Sequence, residues 1–324
     1  MVKAAFIFPG QGAQKAGMGK EFYDASPEAR AVFDEADKLA GNGLKDVIFN
    51  GPSEKLTETA FCQPGILTFS IAALKAFQAH PKFKNIQPVF AAGLSLGEYS
   101  ALAASGALSF EETVRLVQIR GRLMDEACKL TPGKMAAVIG FSALGGSLAV
   151  RQAGAPGGDK DKLVAICHET GAEVANFNSP QQIVITGHAS KVEAACEKIK
   201  AAGAKSVIPL EVAGAFHSSL MQPAAEKFKS EISKVKIAVP QFGVVSNVDG
   251  RPSTDPEEIR AKLSAQITSP VQWVESIQFM ASHGAEYFIE IGPGKVLTGL
   301  IRRIDPNLKF ANIETPADIE KLAV

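Results

Sequence analysis

Gly93-Leu94-Ser95-Leu96-Gly97 sets a serine between two glycines, each two positions away. The apolar run Val89–Ala92 precedes it, and Leu96–Ser105, which reads as a helix, follows. Strand, sharp turn and helix in this order make a nucleophile elbow, in which a strained serine stands above the edge of a sheet. The glycines leave room for the turn and for close strand–helix packing. The Leu96 amide, at the helix start, faces the point where an oxyanion would form. The pentapeptide alone also fits an ordinary strand-to-helix turn with a capping serine.

A serine nucleophile needs a base. Of the five histidines, His80, His168, His188 and His283 lie in polar loops, on a helix or at helix ends, where solvated or capping roles suffice. His217 differs, because it follows an apolar strand and precedes a helix capped by Ser218 or Ser219. Functional groups of open α/β sheets gather beyond strand ends. Spacing alone leaves its role open. Arg120 lies between Ile119 and Gly121 on an amphipathic helix, and spacing favours a surface position over a buried anion clamp. Gly10-Gln11-Gly12 follows the first strand, but Lys15 stands where a dinucleotide fingerprint needs glycine, and no Gly-Lys-Ser/Thr follows. Such a turn can still present a backbone amide to a reacting centre.

These residues need a frame. Val2–Phe8, Val89–Ala92, Gly243–Ser246 and Tyr287–Ile291 read as strands. Pro27–Leu39, Pro64–Ala79, Glu111–Cys128, Ser219–Ile232, Pro256–Gln266, Val271–Ser282 and Lys295–Arg303 read as helices. The alternation predicts an α/β fold with a parallel sheet. After Thr131-Pro132-Gly133 the pattern changes. Strand Lys134–Ile139, helix Lys160–Glu169, strands Glu173–Phe177 and Ile183–Thr186, helix Ser190–Ala201 and strand Ser206–Val212 make a βαββαβ, ferredoxin-like unit. Asn178-Ser179-Pro180-Gln181 is read as the turn between its middle strands. The expected domains are therefore 1–130 with 209–324, and an inserted 131–208 containing an extra loop at 145–160.

Composition bounds the function. In 324 residues, 34 basic and 34 acidic side chains cancel, so no global field draws nucleic acid or membrane. Lys295, Arg302 and Arg303 form a local basic patch, which reads first as a solvated helix face. The four scattered cysteines show no zinc spacing and suit a reducing compartment. No metal site, tightly bound cofactor or membrane span is expected, and the cytoplasm is the default location.

Several segments together resemble one family. Phe8-Pro9-Gly10-Gln11-Gly12, the elbow with Glu98-Tyr99, Arg120-Gly121, Asn176-Phe177-Asn178-Ser179-Pro180, Phe216-His217, Ser246-Asn247-Val248, Pro270-Val271-Gln272-Trp273 and Gly292-Pro293-Gly294 occur in the order seen in malonyl-CoA:acyl-carrier-protein transacylases. The resemblance implies an α/β-hydrolase-like larger domain and a monomer. It implies that Ser95 takes an acyl group with His217 as base, and that the backbone carbonyl of Gln266 orients the histidine. Gln11 and Leu96 would supply oxyanion amides. Arg120 would pair with the malonyl carboxylate, Gln63 and Asn178 would line the cleft, and Phe216 would narrow it. Malonyl-CoA and acyl carrier protein are the implied partners. Leu94 departs from the family, which usually has histidine before the nucleophile. An acyl-thioester hydrolase and an inactive carrier-protein-docking subunit are the competing readings.

Overall fold

The computed structural model describes residues 1–141 and 159–323. All but the last two residues of the loop 145–160 lie outside the described residues. The strands, in chain order, are β1 (Val2–Phe8), β2 (Ile86–Gly93), β3 (Gly133–Phe141), β4 (Glu173–Ser179), β5 (Gln182–His188), β6 (Ala204–Pro209), β7 (Gly243–Val245), β8 (Pro252–Ser253), β9 (Tyr287–Ile291) and β10 (Lys309–Ile313). They form two sheets. One has the order β10-β9-β1-β2-β7-β8 and is parallel except for β8. The other, β4-β5-β3-β6, is antiparallel throughout.

The parallel sheet carries apolar side chains on both faces, as helical crossovers require. Along β1, Ala4, Phe6 and Phe8 join one buried cluster, while Ala5 and Ile7 join a second on the opposite face. The antiparallel sheet packs Ala136, Val138 and Ile185 against Leu163 and Ile199 of its two helices. The sheets are stitched together where Phe177 donates to the Val271 carbonyl at 2.9 Å and Val271 donates to Ala175 at 2.8 Å. That seam brings β4 alongside the parallel sheet's own loops.

Several local expectations are corrected. The helix expected from Pro64 begins at Thr59 and carries Pro64 inside it. Burial of most of the side chains on this helix outweighs the one backbone hydrogen bond a proline removes. It is the one described helix long and apolar enough to cross a membrane, yet 89% of its apolar window is buried in the protein. Strand β4 runs on to Ser179, so Asn178 belongs to a strand, and only Pro180 and Gln181 turn the chain. β6 stops at Pro209, three residues early, although Leu210 still donates to Met135 at 2.9 Å. Edge strand β10 and the short helices Lys20–Ala25, Leu44–Asn50, Ser53–Thr57 and Pro316–Glu320 are elements that the sequence pattern does not announce. Their apolar patterns are too brief to show a period.

The elbow's glycines meet a hard steric limit. A Cβ on Gly93 would lie 1.9 Å from the carbonyl carbon of Gly97, and one on Gly97 would lie 2.1 Å from the Phe8 carbonyl oxygen. Both obstacles are backbone, so neither can swing aside. Gly93→Ala should destabilise the fold by about 3 kcal/mol, measured as a lowered urea midpoint.

Candidate active site

Ser95 follows β2 and precedes helix Gly97–Ala104 with φ of 54°, and His217 has φ of 57°. Among the described residues these are the two non-glycines in the left-handed region. Such strain persists only where the surroundings over-determine it, and here they do. The Ser95 amide donates to Asn247 Oδ1 at 2.7 Å, and Asn247 Nδ2 donates to the Gly93 carbonyl at 2.7 Å. Gln266 Nε2 donates to the Ser95 carbonyl at 3.0 Å. Around His217, Thr186 Oγ1 donates to the Phe216 carbonyl at 3.0 Å, and Ser218 Oγ to the Ala215 carbonyl at 2.6 Å.

The two strained residues meet. His217 Nε2 lies 2.8 Å from Ser95 Oγ. Its other nitrogen, Nδ1, lies 2.9 Å from the Gln266 carbonyl and 3.2 Å from the Ser269 carbonyl. Carbonyls only accept, so Nδ1 carries the proton and Nε2 is left to accept from the serine hydroxyl. The Gln266 carbonyl thus faces the ring nitrogen, and Ser269 adds a second carbonyl. Burial first, and the Arg120 cation second, push the imidazole down to about 4. The ring is neutral at physiological pH, the state a general base needs.

Arg120 is 1% exposed, which overturns the surface position that helical spacing favoured. The helix Phe110–Leu130 packs this face against the helix Thr59–Ala79, so the amphipathic pattern hides a cation among its apolar residues. Nη1 donates to Gln63 Oε1 at 2.8 Å, while Nη2 donates to Ser95 Oγ at 3.0 Å and to Gln266 Oε1 at 3.2 Å. The Tyr99 ring lies 5.4 Å from the guanidinium carbon, a cation–π distance. Its Nε has no partner, and no carboxylate of the described residues forms a salt bridge with it.

A cavity of about 410 Å³ opens over these groups. Gln11, Leu94, Ser95, Leu96, Arg120, Asn178, Phe216 and His217 all face it. Gln63 does not. It sits beneath the wall, holding Arg120 and touching Gln11 Oε1 at 3.4 Å. Asn178 brings a buried, unpartnered Oδ1 to the site. Exposed Val212 and Val296 mark the mouth. There Glu290 fixes helix Val296–Ile304 by accepting from the amides of Leu297 at 3.0 Å and Thr298 at 2.7 Å. On that helix Arg302 and Arg303 are exposed, over Phe310 and against Gln182 respectively.

The remaining histidines lie elsewhere. His80 caps a short turn and pairs with Glu320, His283 stacks on Phe279, and His168 and His188 are exposed. The four cysteines are free, and among the described residues no cluster of three or more His, Cys, Asp or Glu could hold a metal. Sequence reasoning gave no role to Asn247, Glu98 or Ser269. Glu98 did leave a signal, an acid on a short helix of small and apolar residues.

A neutral imidazole in contact with Ser95 fixes the expected pH response. Labelling of Ser95 by an uncharged fluorophosphonate should stay level on acidification and collapse only as His217 protonates, with a midpoint near 4. Arg120→Met removes a cation that opposes imidazolium, so the midpoint should move upward. Quench-flow labelling across the pH range checks both.

The profile of the family described as "Acyl transferase domain" matches residues 5–307. A malonyl CoA-acyl carrier protein transacylase of Bacillus subtilis strain 168 is 46% identical over 320 residues, 99% of this chain and 96% of that protein. One from Staphylococcus aureus strain MW2 is 40% identical, over 99% of this chain and 98% of its own. Among solved structures, an acyl-carrier-protein-S-malonyltransferase from Bartonella henselae superposes with a TM-score of 0.89 at 39% identity, covering 99% of this chain and 98% of that one. A type II PKS malonyl-transacylase solved with its acyl-carrier protein gives 0.88 at 36% identity, covering 98% of each chain.

Proposed function

The chain belongs to the acyl transferase family, among the malonyl-CoA:acyl carrier protein transacylases, and from that membership we propose that it moves malonyl groups from coenzyme A to acyl carrier protein in fatty acid synthesis. One observation carries the reading beyond family membership. A fully buried guanidinium, with no carboxylate in direct contact, touches the oxygen of an activated serine. A buried cation with no anion touching it is strongly unfavourable. An acyl group ending in a carboxylate supplies the missing anion and places its thioester carbonyl beside Ser95. Planar, bidentate recognition is what a guanidinium does best.

The transfer has two halves. His217 Nε2 takes the Ser95 proton as Oγ attacks the thioester carbonyl, and the amides of Gln11 and Leu96 receive the developing oxyanion. The tetrahedral adduct collapses, the C–S bond breaks, and the imidazolium returns its proton to the departing coenzyme A sulfur. A malonyl-serine ester remains. The pantetheine thiol of acyl carrier protein then attacks this ester, with His217 again as base, and the serine regains its proton. Phe216, 7% exposed beside the base, restricts the space next to the acyl α-carbon and favours malonyl over branched acyl groups. Leu94 leaves an apolar wall where a histidine would offer a hydrogen bond.

A hydrolase would need an acid to orient its histidine, and two backbone carbonyls do that work here. An inactive docking subunit would have no reason to keep Ser95 and His217 strained and 2.8 Å apart. We read the two sheets as a hydrolase-like domain, 1–130 with 209–324, carrying a ferredoxin-like insertion, 131–208. The strand order β4-β5-β3-β6 with two crossover helices supports this. The protein is assigned to the cytoplasm.

Mass spectrometry after brief exposure to malonyl-CoA should find one malonyl group, on Ser95, that acyl carrier protein removes. Free malonate formed as fast as coenzyme A would overturn the transfer reading. Arg120→Ala should reduce malonyl loading about a hundredfold, corresponding to about 3 kcal/mol, and spare acetyl loading by comparison. Equal losses for both donors would rule out the carboxylate role.

A further inference from the structure

Glu98 takes no part in the steps above, yet it is 3% exposed and three residues from the nucleophile. Its Oε2 accepts from the Asn247 amide at 3.0 Å and from Gln266 Nε2 at 2.7 Å. The orientation of the Gln266 amide is settled by its neighbours. Arg120 can only donate, so Oε1 faces it, and the Ser95 carbonyl can only accept, so Nε2 faces that. The amide therefore bridges a carboxylate and a guanidinium, its nitrogen on the first and its oxygen on the second. Burial holds the Glu98 pKa above the usual carboxylate range, and the Asn247, Gln266 and Ser246 donors with the Arg120 cation offset part of that rise. A backbone amide and a side-chain amide converging on one oxygen are the partners of an ionised carboxylate.

We propose that Glu98 is the internal counter-anion of Arg120, relayed through Gln266, and that it sets how strongly the guanidinium grips the carboxylate of an incoming acyl group. The proposal rests on the malonyl reading and adds a residue that tunes it. With Glu98 in place the field of the guanidinium is partly offset at a distance, while the position in direct contact with it stays open for a substrate carboxylate. Without it, the buried cation is uncompensated and holds any arriving anion harder, because opposite charges attract strongly where water is excluded. Glu98 is a positioning residue, since it reaches the reacting atoms only through Gln266 and Asn247. Its charge keeps the acyl carboxylate exchangeable in an enzyme that must both accept and surrender its cargo.

Glu98→Gln keeps the shape and an acceptor oxygen while removing the charge. The KM for malonyl-CoA should fall about fivefold, the KM for acetyl-CoA should stay where it is, and free malonate should raise the Tm of the variant more than that of the wild type. Glu98→Asp, which retains the charge, should keep a wild-type malonyl-CoA KM. A purely structural Glu98 would lower both activities together through loss of folded protein, with KM unmoved. That result, or a malonyl-CoA KM that is unchanged or raised in Glu98→Gln, overturns the proposal. If Glu98→Gln does not fold alone, saturating malonate must rescue it, and a variant that stays unfolded in malonate overturns the proposal equally. Should wild-type protein fail to load malonyl at all, the transfer reading falls, and the malonate-induced Tm shifts still decide the charge relation between Glu98 and Arg120.

Discussion

Taking a guanidinium out of water is among the most unfavourable events a folding chain can undergo, and the surroundings of Arg120 are organised by it. A neutral amide, an aromatic face and a serine hydroxyl contact the charge, and none of them is an anion. Each softens the desolvation without cancelling it. The pocket is left with a standing preference for a carboxylate, set beside the nucleophile. The same cation helps to keep His217 neutral, so the proposed choice of substrate and the protonation state of the imidazole both trace to one buried charge.

Strain is the second thread. Ser95 and His217 adopt a backbone conformation that L-residues avoid, and each is held by hydrogen bonds from distant segments. Asn247 acts as a clip across the elbow, filling one acceptor and one donor that the sharp turn leaves exposed. Gln266 touches Arg120, Ser95, Glu98 and Asn247 with its side chain and His217 with its carbonyl, joining serine, imidazole and guanidinium. Rigid packing behind the site gives a cleft whose reactive atoms need little rearrangement when substrate arrives.

Legibility followed range. The elbow was visible because its requirements are local: a strand, a turn too tight for side chains at 93 and 97, and a helix. The long strands and helices were visible for the same reason. Arg120 was misjudged because helical periodicity reports which face is apolar and cannot report that a second helix covers a charge on that face. Asn178 was taken for a turn residue because Asn-Ser-Pro-Gln has turn composition, while pairing with β5 carries the strand two residues further. His217 and Gln266 are 49 positions apart, and their contact is made by the folded chain alone. The likeness of several ordered segments to a known family supplied what spacing could not. Even that likeness was silent on Glu98, whose meaning appears only when its partners are seen together.

The clip on the elbow also has a temporal side. The amide of Ser95 and its partner on Asn247 are 152 positions apart, and β1, at the heart of the parallel sheet, pairs with β9 only after residue 287 has been made. A ribosome that has released the serine has thus produced neither Asn247 nor Gln266 nor His217, whereas the antiparallel sheet draws its strands from the single stretch 133–209 and needs no later segment. Reactivity therefore arrives late and all at once, when nearly the whole polypeptide is available. Nascent fragments are spared an activated hydroxyl that could capture thioesters before there is a carrier site to relieve it.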